Sequence, residues 1–374
     1  MFIWIKRNIN YNVKLVLYMK ILQVCPRYYP FIGGVEEHVR NISERLANRF
    51  DLTVFTTDPI RKLPRVEVVN NVKVRRFKSW APGEAYYFSK ELKQYLIRKS
   101  NEFDIIHAHN YHAFPALYAA QAKIKNKFIF TPHFHGSGHD PLRSLLHIPY
   151  KVFGRNIFTK ADKVICVSNY EKSLIMKRFK LDEEKIVVIP NGVDLNEFRG
   201  LKKAKKNCKT ILCVSRLEKY KGIQYVIEVL PRLESDVVLE IVGKGPYKKN
   251  LVKLAKKLNV SDRVKFFKDL PRNELLQKYA DADVFVLLSK HEAFGLSVAE
   301  ALCAGTPCII ANTSALAEWV DGENCFGIDY PIDLDALADL IMKVVGKKVY
   351  KPAVLDWDEV ANRLAELYED VCGF

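Results

Sequence analysis

The sequence has no C-x-x-C pair among its eight cysteines, no Walker A loop, no low-complexity tract and no run approaching the roughly 20 apolar residues of a spanning helix. Each absence removes a class. Most of the cysteines, at positions 25, 166, 208, 213, 303, 308, 325 and 372, lie in apolar runs such as 164–168 and 211–215. They read as small buried core residues of a reducing compartment, with neither a disulfide framework nor a zinc ribbon. A complete G-x-G-x-x-G is missing too, which disfavours nicotinamide cofactors. Glutamine is scarce, at five residues in a lysine-rich chain, a composition that leans towards a heat-adapted source. Residues 1–18 alternate apolar pieces with charges and lack a small-residue cleavage site, so they do not read as a signal peptide. Met19 is the expected natural first residue, with 1–18 an appendage or an upstream mis-start.

What the sequence does have is enough apolar matter, 49% of 374 residues, to build more than one core, so two domains are the default. It also has a net charge of +16, unevenly placed: residues 1–190 carry 32 Lys and Arg against 16 Asp and Glu, while 191–374 carry 27 of each. A one-sided charge concerns partners more than fold, and it attracts nucleic acid, anionic lipid or phosphorylated ligands to that half unless it is only a solvated surface.

In the second half, apolar runs of about five residues alternate with helical stretches of about ten: 209–215, 237–242, 264–267, 284–288 and 308–311 are separated by 223–233, 247–258, 273–280 and 296–304. This alternation predicts a parallel sheet covered on both faces. The first half repeats it with runs at 21–25, 52–56, 105–107, 128–131, 164–167 and 186–190, and with a hairpin insert over 66–69 and 72–77 across Asn70-Asn71. The fold class is therefore α/β, with two doubly wound, Rossmann-like domains over 19–195 and 196–350 and a lysine-rich linker at 199–209. Beyond Asp333 the chain reads as helical to its end, including an amphipathic stretch at 354–371; residues 351–374 form the C-terminal segment.

Ligands of open α/β sheets sit outside the carboxyl ends of the strands. After the first strand come Gly33 and Gly34 at the mouth of a helix, either a simple turn or an anion site on free N–H groups; Glu36 and Glu37 suit the positive end of the helix dipole. After the first strand of the second half stand Arg216 and Lys221, either two surface cations or a clamp for a diphosphate. A second glycine-rich turn, Gly243-Lys244-Gly245-Pro246, closes the next strand. The most specific stretch is Ser289-Lys290-His291-Glu292-Ala293-Phe294-Gly295-Leu296-Ser297-Val298-Ala299-Glu300. Glu292 and Glu300 are eight residues apart, roughly 12 Å along a continuous helix, too far to share a proton but suited to two hydroxyl-rich parts of one ligand. Histidines at 107, 109, 133, 135 and 139 invite a metal, yet no nearby carboxylate completes a set of known spacing, and none is expected. His107 reads as a buried strand residue. Asp281-Ala282-Asp283 has the look of a D-x-D metal motif but precedes its strand, at the wrong end of the sheet.

These segments, together with Tyr29-Pro30, Ile189-Pro190-Asn191-Gly192-Val193-Asp194, Ser215-Arg216-Leu217 and Glu300-Ala301-Leu302-Cys303-Ala304-Gly305-Thr306-Pro307, run from about residue 19 to the end in the order found in one family. The chain resembles the retaining nucleotide-sugar glycosyltransferases of family 4. The resemblance implies the GT-B fold, with a C-terminal helix, carrying Trp357 and Tyr368, returning to the first domain. It implies that Arg216 and Lys221 hold the donor diphosphate, that Glu292 binds donor-sugar hydroxyls, that Glu300 accepts from the ribose and that Phe294, Gly295 and Leu296 approach the donor by backbone. Gly33, Gly34, Gly243 and Gly245 belong to the donor site, Asn191 and His135 to the acceptor side, and His133 is the best match to the family's functional histidine. No cofactor beyond a UDP- or GDP-sugar co-substrate and no catalytic metal is implied. The acceptor domain carries the positive charge, so the expected protein is cytoplasmic and its expected acceptor anionic or lipid-linked, reached by peripheral contact with the anionic inner face of the cell membrane. A nucleotide-sugar 2-epimerase of related fold lacks support from the E-x7-E and Arg–Lys set, and the chain is short for a glycan phosphorylase with pyridoxal phosphate. A nucleic-acid-binding protein would explain the charge but not the strand-end carboxylates, so nucleic acid is not an expected partner.

Overall fold

A computed structural model describes residues 19–136, 154–350 and 352–373. The expectations for 1–18 and for His139 lie outside the described residues. The first sheet contains β1 (Lys20–Val24), β2 (Asp51–Asp58), β3 (Val66–Val69), β4 (Val72–Lys78), β5 (Ile105–His109), β6 (Lys127–Thr131), β7 (Lys163–Cys166) and β8 (Ile186–Val188), in the order β3-β4-β2-β1-β5-β6-β7-β8. All neighbours are parallel except β3 and β4, a hairpin whose turn residues Asn70 and Asn71 both take positive φ, 47° and 66°. Asparagine tolerates this left-handed backbone, the conformation a two-residue hairpin of native twist requires.

After the short β9 (Gly192–Val193), the second sheet is built from β10 (Lys209–Val214), β11 (Val237–Val242), β12 (Val264–Phe267), β13 (Val284–Leu287), β14 (Cys308–Ala311) and β15 (Cys325–Ile328), ordered β12-β11-β10-β13-β14-β15 and parallel throughout. Strands such as β5, β13 and β14 are buried at every residue, as expected when helices cover both faces. Strand order reverses between β1 and β5 in one sheet and between β10 and β13 in the other, and each reversal opens a crevice at the carboxyl ends.

The C-terminal segment departs from the expected continuous helix. A helix at Leu334–Val344 ends before Gly346, which takes φ 76°, and Pro352, which has no N–H to continue a helix, follows. β16 (Leu355–Asp356) then pairs in parallel with β9, and only at Trp357 does the last helix, Trp357–Cys372, begin, with Asp356 Oδ1 accepting from Asp358 N at 2.8 Å. Trp357, Val360, Leu364 and Tyr368 recur at helical spacing and pack into the first sheet's core with Ile21, Val39 and Ile42. Tyr368 reaches deepest: its hydroxyl accepts from Gln23 Nε2 at 3.0 Å and lies 2.6 Å from His107 Nδ1. His107 is indeed a buried strand residue, its other nitrogen on Thr131 Oγ1 at 2.7 Å.

Five cysteines are buried as expected, while Cys208, Cys303 and Cys372 are only half-buried because they fall on the linker and on helix flanks. Glu171, in the first turn of the helix Asn169–Phe179, is a buried carboxylate that joins two strand ends. It accepts from the backbone N–H of Phe134, after β6, and of Val167, after β7, the latter at 2.7 Å. Burial raises its carboxyl to about 8, against the pull of these two donors.

Two outcomes follow from this packing. A Cβ on Gly192 would lie 2.7 Å from Trp357 N, so Gly192→Ala, by forcing apart the β9–β16 contact that docks the last helix, should cost about 1–3 kcal/mol in urea unfolding. Between pH 4.5 and 8 native Glu171 keeps a proton that the unfolded chain has lost, so its contribution to stability falls as pH rises. The parent should therefore lose stability relative to Glu171→Gln from pH 5.5 to 7.5, by up to about 1.4 kcal/mol per unit, measured by urea unfolding across that range.

Candidate functional site

The β10–β13 crevice gathers most of the strand-end residues singled out in the second half. Its turns touch through backbone. A Cβ on Gly222 (φ 77°) would stand 2.1 Å from Leu288 O, one on Gly243 (φ 149°) 2.0 Å from Ser215 O, and one on Gly245 2.4 Å from Leu217 O. Only glycine permits these approaches, and the positive φ at Gly222 and Gly243 adds the same demand. The interlock is hydrogen-bonded by Leu217 N to Lys244 O at 3.0 Å and Tyr247 N to Leu217 O at 2.9 Å. It sets Arg216 and Lys221 on one side of the crevice and Glu292 on the other.

Lys221 Nζ lies 2.5 Å from Glu292 Oε1, and both side chains are mostly buried. Burial opposes the ammonium's charge, but the facing Glu292 carboxylate outweighs it and raises Lys221 above its usual range. Arg216 remains half-exposed with its guanidinium on Glu218 at 2.9 Å. Glu292 is fixed from the far side, its N–H donating to Ser314 Oγ at 3.1 Å. Phe294 O accepts from Trp319 Nε1 at 2.8 Å, and Gly295 (φ 102°) starts the helix Leu296–Cys303. Leu296 packs against the core of the first sheet, so this helix start also touches the opposite unit.

Glu300 does not stand free. Its Oε1 lies 2.5 Å from Arg272 Nη1 and its Oε2 accepts from Tyr279 Oη at 2.9 Å, while Arg272 also holds Glu197 at 2.7 Å. Neither Arg272 nor Tyr279 belongs to a motif legible in the sequence. The signal was a cation in the first turn of the helix Arg272–Asp281, where the dipole disfavours it unless a carboxylate compensates. Asp281 and Asp283 flank the amino end of β13, with Asp283 accepting from Thr210 N at 2.7 Å and from Lys203 Nζ at 2.6 Å, so the D-x-D segment serves strand and linker on the side away from Glu292.

Across the cleft, Gly33 precedes the helix Gly34–Leu46. A Cβ on Gly33 would meet Glu36 Oε2 at 2.4 Å, because Glu36 folds back beneath it, held by Arg27 at 2.6 Å. Gly34 has open space around it. His38, one turn into that helix, went unremarked in the sequence. It bonds Asn191 at 2.7 Å through Nδ1 and sits edge-on to His133 with ring centroids 4.8 Å apart. His133 takes φ 49°, a left-handed conformation uncommon outside glycine. Burial holds His38 near 4 and His109 and His133 well below the usual range, so the three rings are neutral. His135 turns away and stacks on His112 at 5.3 Å. A cavity of about 280 Å³ separates the two units between Pro190 and Asn191 on one wall and Phe294, Ala315 and Trp319 on the other.

Comparison with known proteins matches this architecture along the chain. The family model described as Glycosyltransferase Family 4 covers residues 32–197, and that described as Glycosyl transferases group 1 covers 196–366. An uncharacterized glycosyltransferase of Methanocaldococcus jannaschii is 27% identical, covering 94% of this chain and 98% of its own. A GDP-mannose:cellobiosyl-diphosphopolyprenol alpha-mannosyltransferase of Komagataeibacter xylinus is 24% identical over 95% of this chain and 94% of its own. The solved structure of Anabaena HepE in complex with UDP-glucose superposes with a TM-score of 0.75 at 20% identity, over 94% of this chain and all of that one. With the strand order of both sheets and both family models in register with them, the chain belongs to the group 1 glycosyltransferases and has their GT-B fold.

Proposed function

We propose that the protein transfers a hexosyl group from a nucleotide-sugar donor, such as a UDP- or GDP-sugar, to a hydroxyl of an anionic or lipid-linked acceptor, with retention of configuration at the anomeric carbon. The observation that carries this reading is the Lys221–Glu292 pair at the β10–β13 switch point, beside Arg216 and the glycine turns. A diphosphate entering there meets two cations already in position. As the glycosidic bond breaks, negative charge grows on the leaving nucleoside diphosphate, and Arg216 and Lys221 stabilise it without rearranging solvent. Glu292, freed in part from Lys221 as the diphosphate takes over that ammonium, accepts from sugar hydroxyls, while the first-turn amides after Gly295 face a phosphate. Glu300 receives the ribose.

Among the described residues no carboxylate is placed as a covalent nucleophile, so the acceptor hydroxyl attacks from the face the diphosphate leaves and gives its proton to the departing diphosphate, and closure of the two units excludes water that would hydrolyse the donor. His133, Asn191 and the Gly33–Gly34 turn form the wall where acceptor and donor meet, with His135 further out. The relatives' substrates support the chemistry: UDP-glucose in the Anabaena structure and a diphosphopolyprenol acceptor for the Komagataeibacter enzyme. The membrane part of the reading is supported by the charge excess in residues 1–190 and by exposed Ile60, Val66, Val68 and Trp80 on the same unit. No helix of the described residues is long and apolar enough to cross a membrane.

The nucleotide-sugar that raises Tm in a thermal-shift panel identifies the donor, since a bound ligand stabilises by mass action. With that donor, Arg216→Ala should lower kcat about 10²–10³-fold with stability within about 0.5 kcal/mol of the parent, because the side chain is half-exposed. Glu292→Gln should lose transfer and also stability, because it strands the buried Lys221 ammonium. Unchanged transfer in both variants, or an inverted product anomer by NMR, would sink this reading. Flotation with anionic vesicles should recover the protein at low ionic strength and release it as salt rises; binding indifferent to salt and lipid charge would exclude the electrostatic contact.

A further inference from the structure

We propose that His38, His109 and His133 form a binding site for a single divalent transition-metal cation of the zinc class. The inference goes beyond the glycosyl-transfer reading and stands without it. One ring nitrogen from each of the three histidines lies within 4.8 Å of the others. The rings come from separate elements: His38 from the helix Gly34–Leu46, His109 from the end of β5 and His133 from the turn after β6. Sequence spacing therefore gave no hint of the set. The near-pairs 107/109 and 133/135 looked incomplete without a carboxylate, whereas the missing ligand is a third imidazole some seventy residues upstream.

The hydrogen bonds fix which nitrogens are free. His38 Nδ1 faces Asn191 Oδ1 at 2.7 Å and His109 Nε2 faces Gln23 Oε1 at 2.7 Å. Both partners are carbonyl oxygens, so these nitrogens carry the protons and donate. The orientation of Gln23 is set independently, because its amide nitrogen donates to Tyr368 Oη at 3.0 Å. The remaining nitrogens, His38 Nε2 and His109 Nδ1, thus present lone pairs, and with His133 Nε2 they are buried with no hydrogen-bond partner among the described residues. Two buried acceptors without a donor are costly, and one cation satisfies all three rings at once. The carbonyls of Asn191 and Gln23 occupy the place of the outer partners that orient metal-bound imidazoles and fix their tautomers.

The donor set selects the metal. Three neutral imidazoles suit zinc, cobalt, nickel or copper; calcium and magnesium need oxygen ligands, which the cluster lacks. At about 2.0–2.1 Å per bond, tetrahedral ligation brings the nitrogens to roughly 3.3 Å from one another, so small side-chain rotations close the site from its present spacing. Three protein ligands leave a fourth position open. The left-handed backbone of His133, φ 49°, is a local cost that such a bond would offset. The metal would tie helix, β5 and the β6 turn together, with Asn191 bonded from beyond β8.

The test uses the full chain loaded with Zn2+ or Co2+, desalted and analysed for bound metal. The parent should retain one Zn2+ per chain and gain thermal stability from equimolar Zn2+ but not from Mg2+. His38→Gln and His109→Gln should each lose the retained metal and the thermal shift, His112→Ala should keep both, and Asn191→Ala should weaken binding about 10–100-fold. Co2+ gives a readout that needs no variant: a four-coordinate visible spectrum without a thiolate charge-transfer band, which separates the histidines from the eight free cysteines. A parent that retains no metal at tenfold excess, equal retention in His38→Gln, or a thiolate band would overturn the proposal and leave water as the partner of these nitrogens.

Discussion

Backbone meeting backbone at three glycines is the constraint on which the donor-side geometry rests. Gly222, Gly243 and Gly245 bring the turns after β10, β11 and β13 close enough that any side chain would collide with a carbonyl. A carbonyl cannot rotate out of the way as a side-chain tip can, so the cost of substitution is not relieved locally. The close approach places Lys221 opposite Glu292. The ion pair is therefore a consequence of the turns and not their cause. Pairing two mostly buried charges stabilises little by itself once desolvation is counted, and its value is positional. The pair keeps an ammonium charged in a sheltered crevice until a more anionic ligand arrives.

The opposite unit is organised by a buried polar chain. Thr131, His107, Tyr368, Gln23 and His109 follow one another at hydrogen-bond distance. One member, Tyr368, comes from the last helix, so the docking of the chain's end determines the tautomer of a histidine at the cleft. Asn191 does the same for His38 from the segment that joins the two units. Networks of this kind tolerate few vacancies, because each group's orientation depends on the next. Packing at the back of the first sheet and ring orientation at its front are thus one structural problem.

Much of this was legible in the sequence, and what was legible shares a cause. Strand-to-helix turns announce themselves through glycine and charge at fixed offsets from apolar runs, so Gly33, Arg216, Lys221, Gly243, Glu292 and Gly295 stood out, as did the antiparallel hairpin through Asn70-Asn71. What stayed hidden depends on contacts between distant segments. His38 looks like any helical histidine until β5 and the β6 turn arrive beside it. Arg272 looks like a surface cation until Glu197 and Glu300 close on it. The short β16 was invisible for the same reason: two residues acquire strand geometry only because β9, far upstream, offers a free edge. Periodicity there suggested helix, and Pro352 was the local warning.

Glu300 shows how the two kinds of information combine. The family resemblance implies a ribose contact for it, yet both of its oxygens are already engaged, by Arg272 and Tyr279. The two engagements differ in kind. Tyr279 is fully buried on the same unit and has no other course, whereas Arg272 is partly exposed and divides its guanidinium between Glu300 and Glu197. A ribose hydroxyl competing for Glu300 therefore meets its least resistance at Oε1, where Arg272 can withdraw and keep Glu197 as partner. Glu197 follows β9, at the boundary between the two units, so on the proposed reading the arginine that would yield to the nucleotide is the one that spans that boundary. On the proposed reading, occupancy of the ribose position and the strength of this inter-unit contact are linked through one guanidinium, and each must weaken as the other is satisfied.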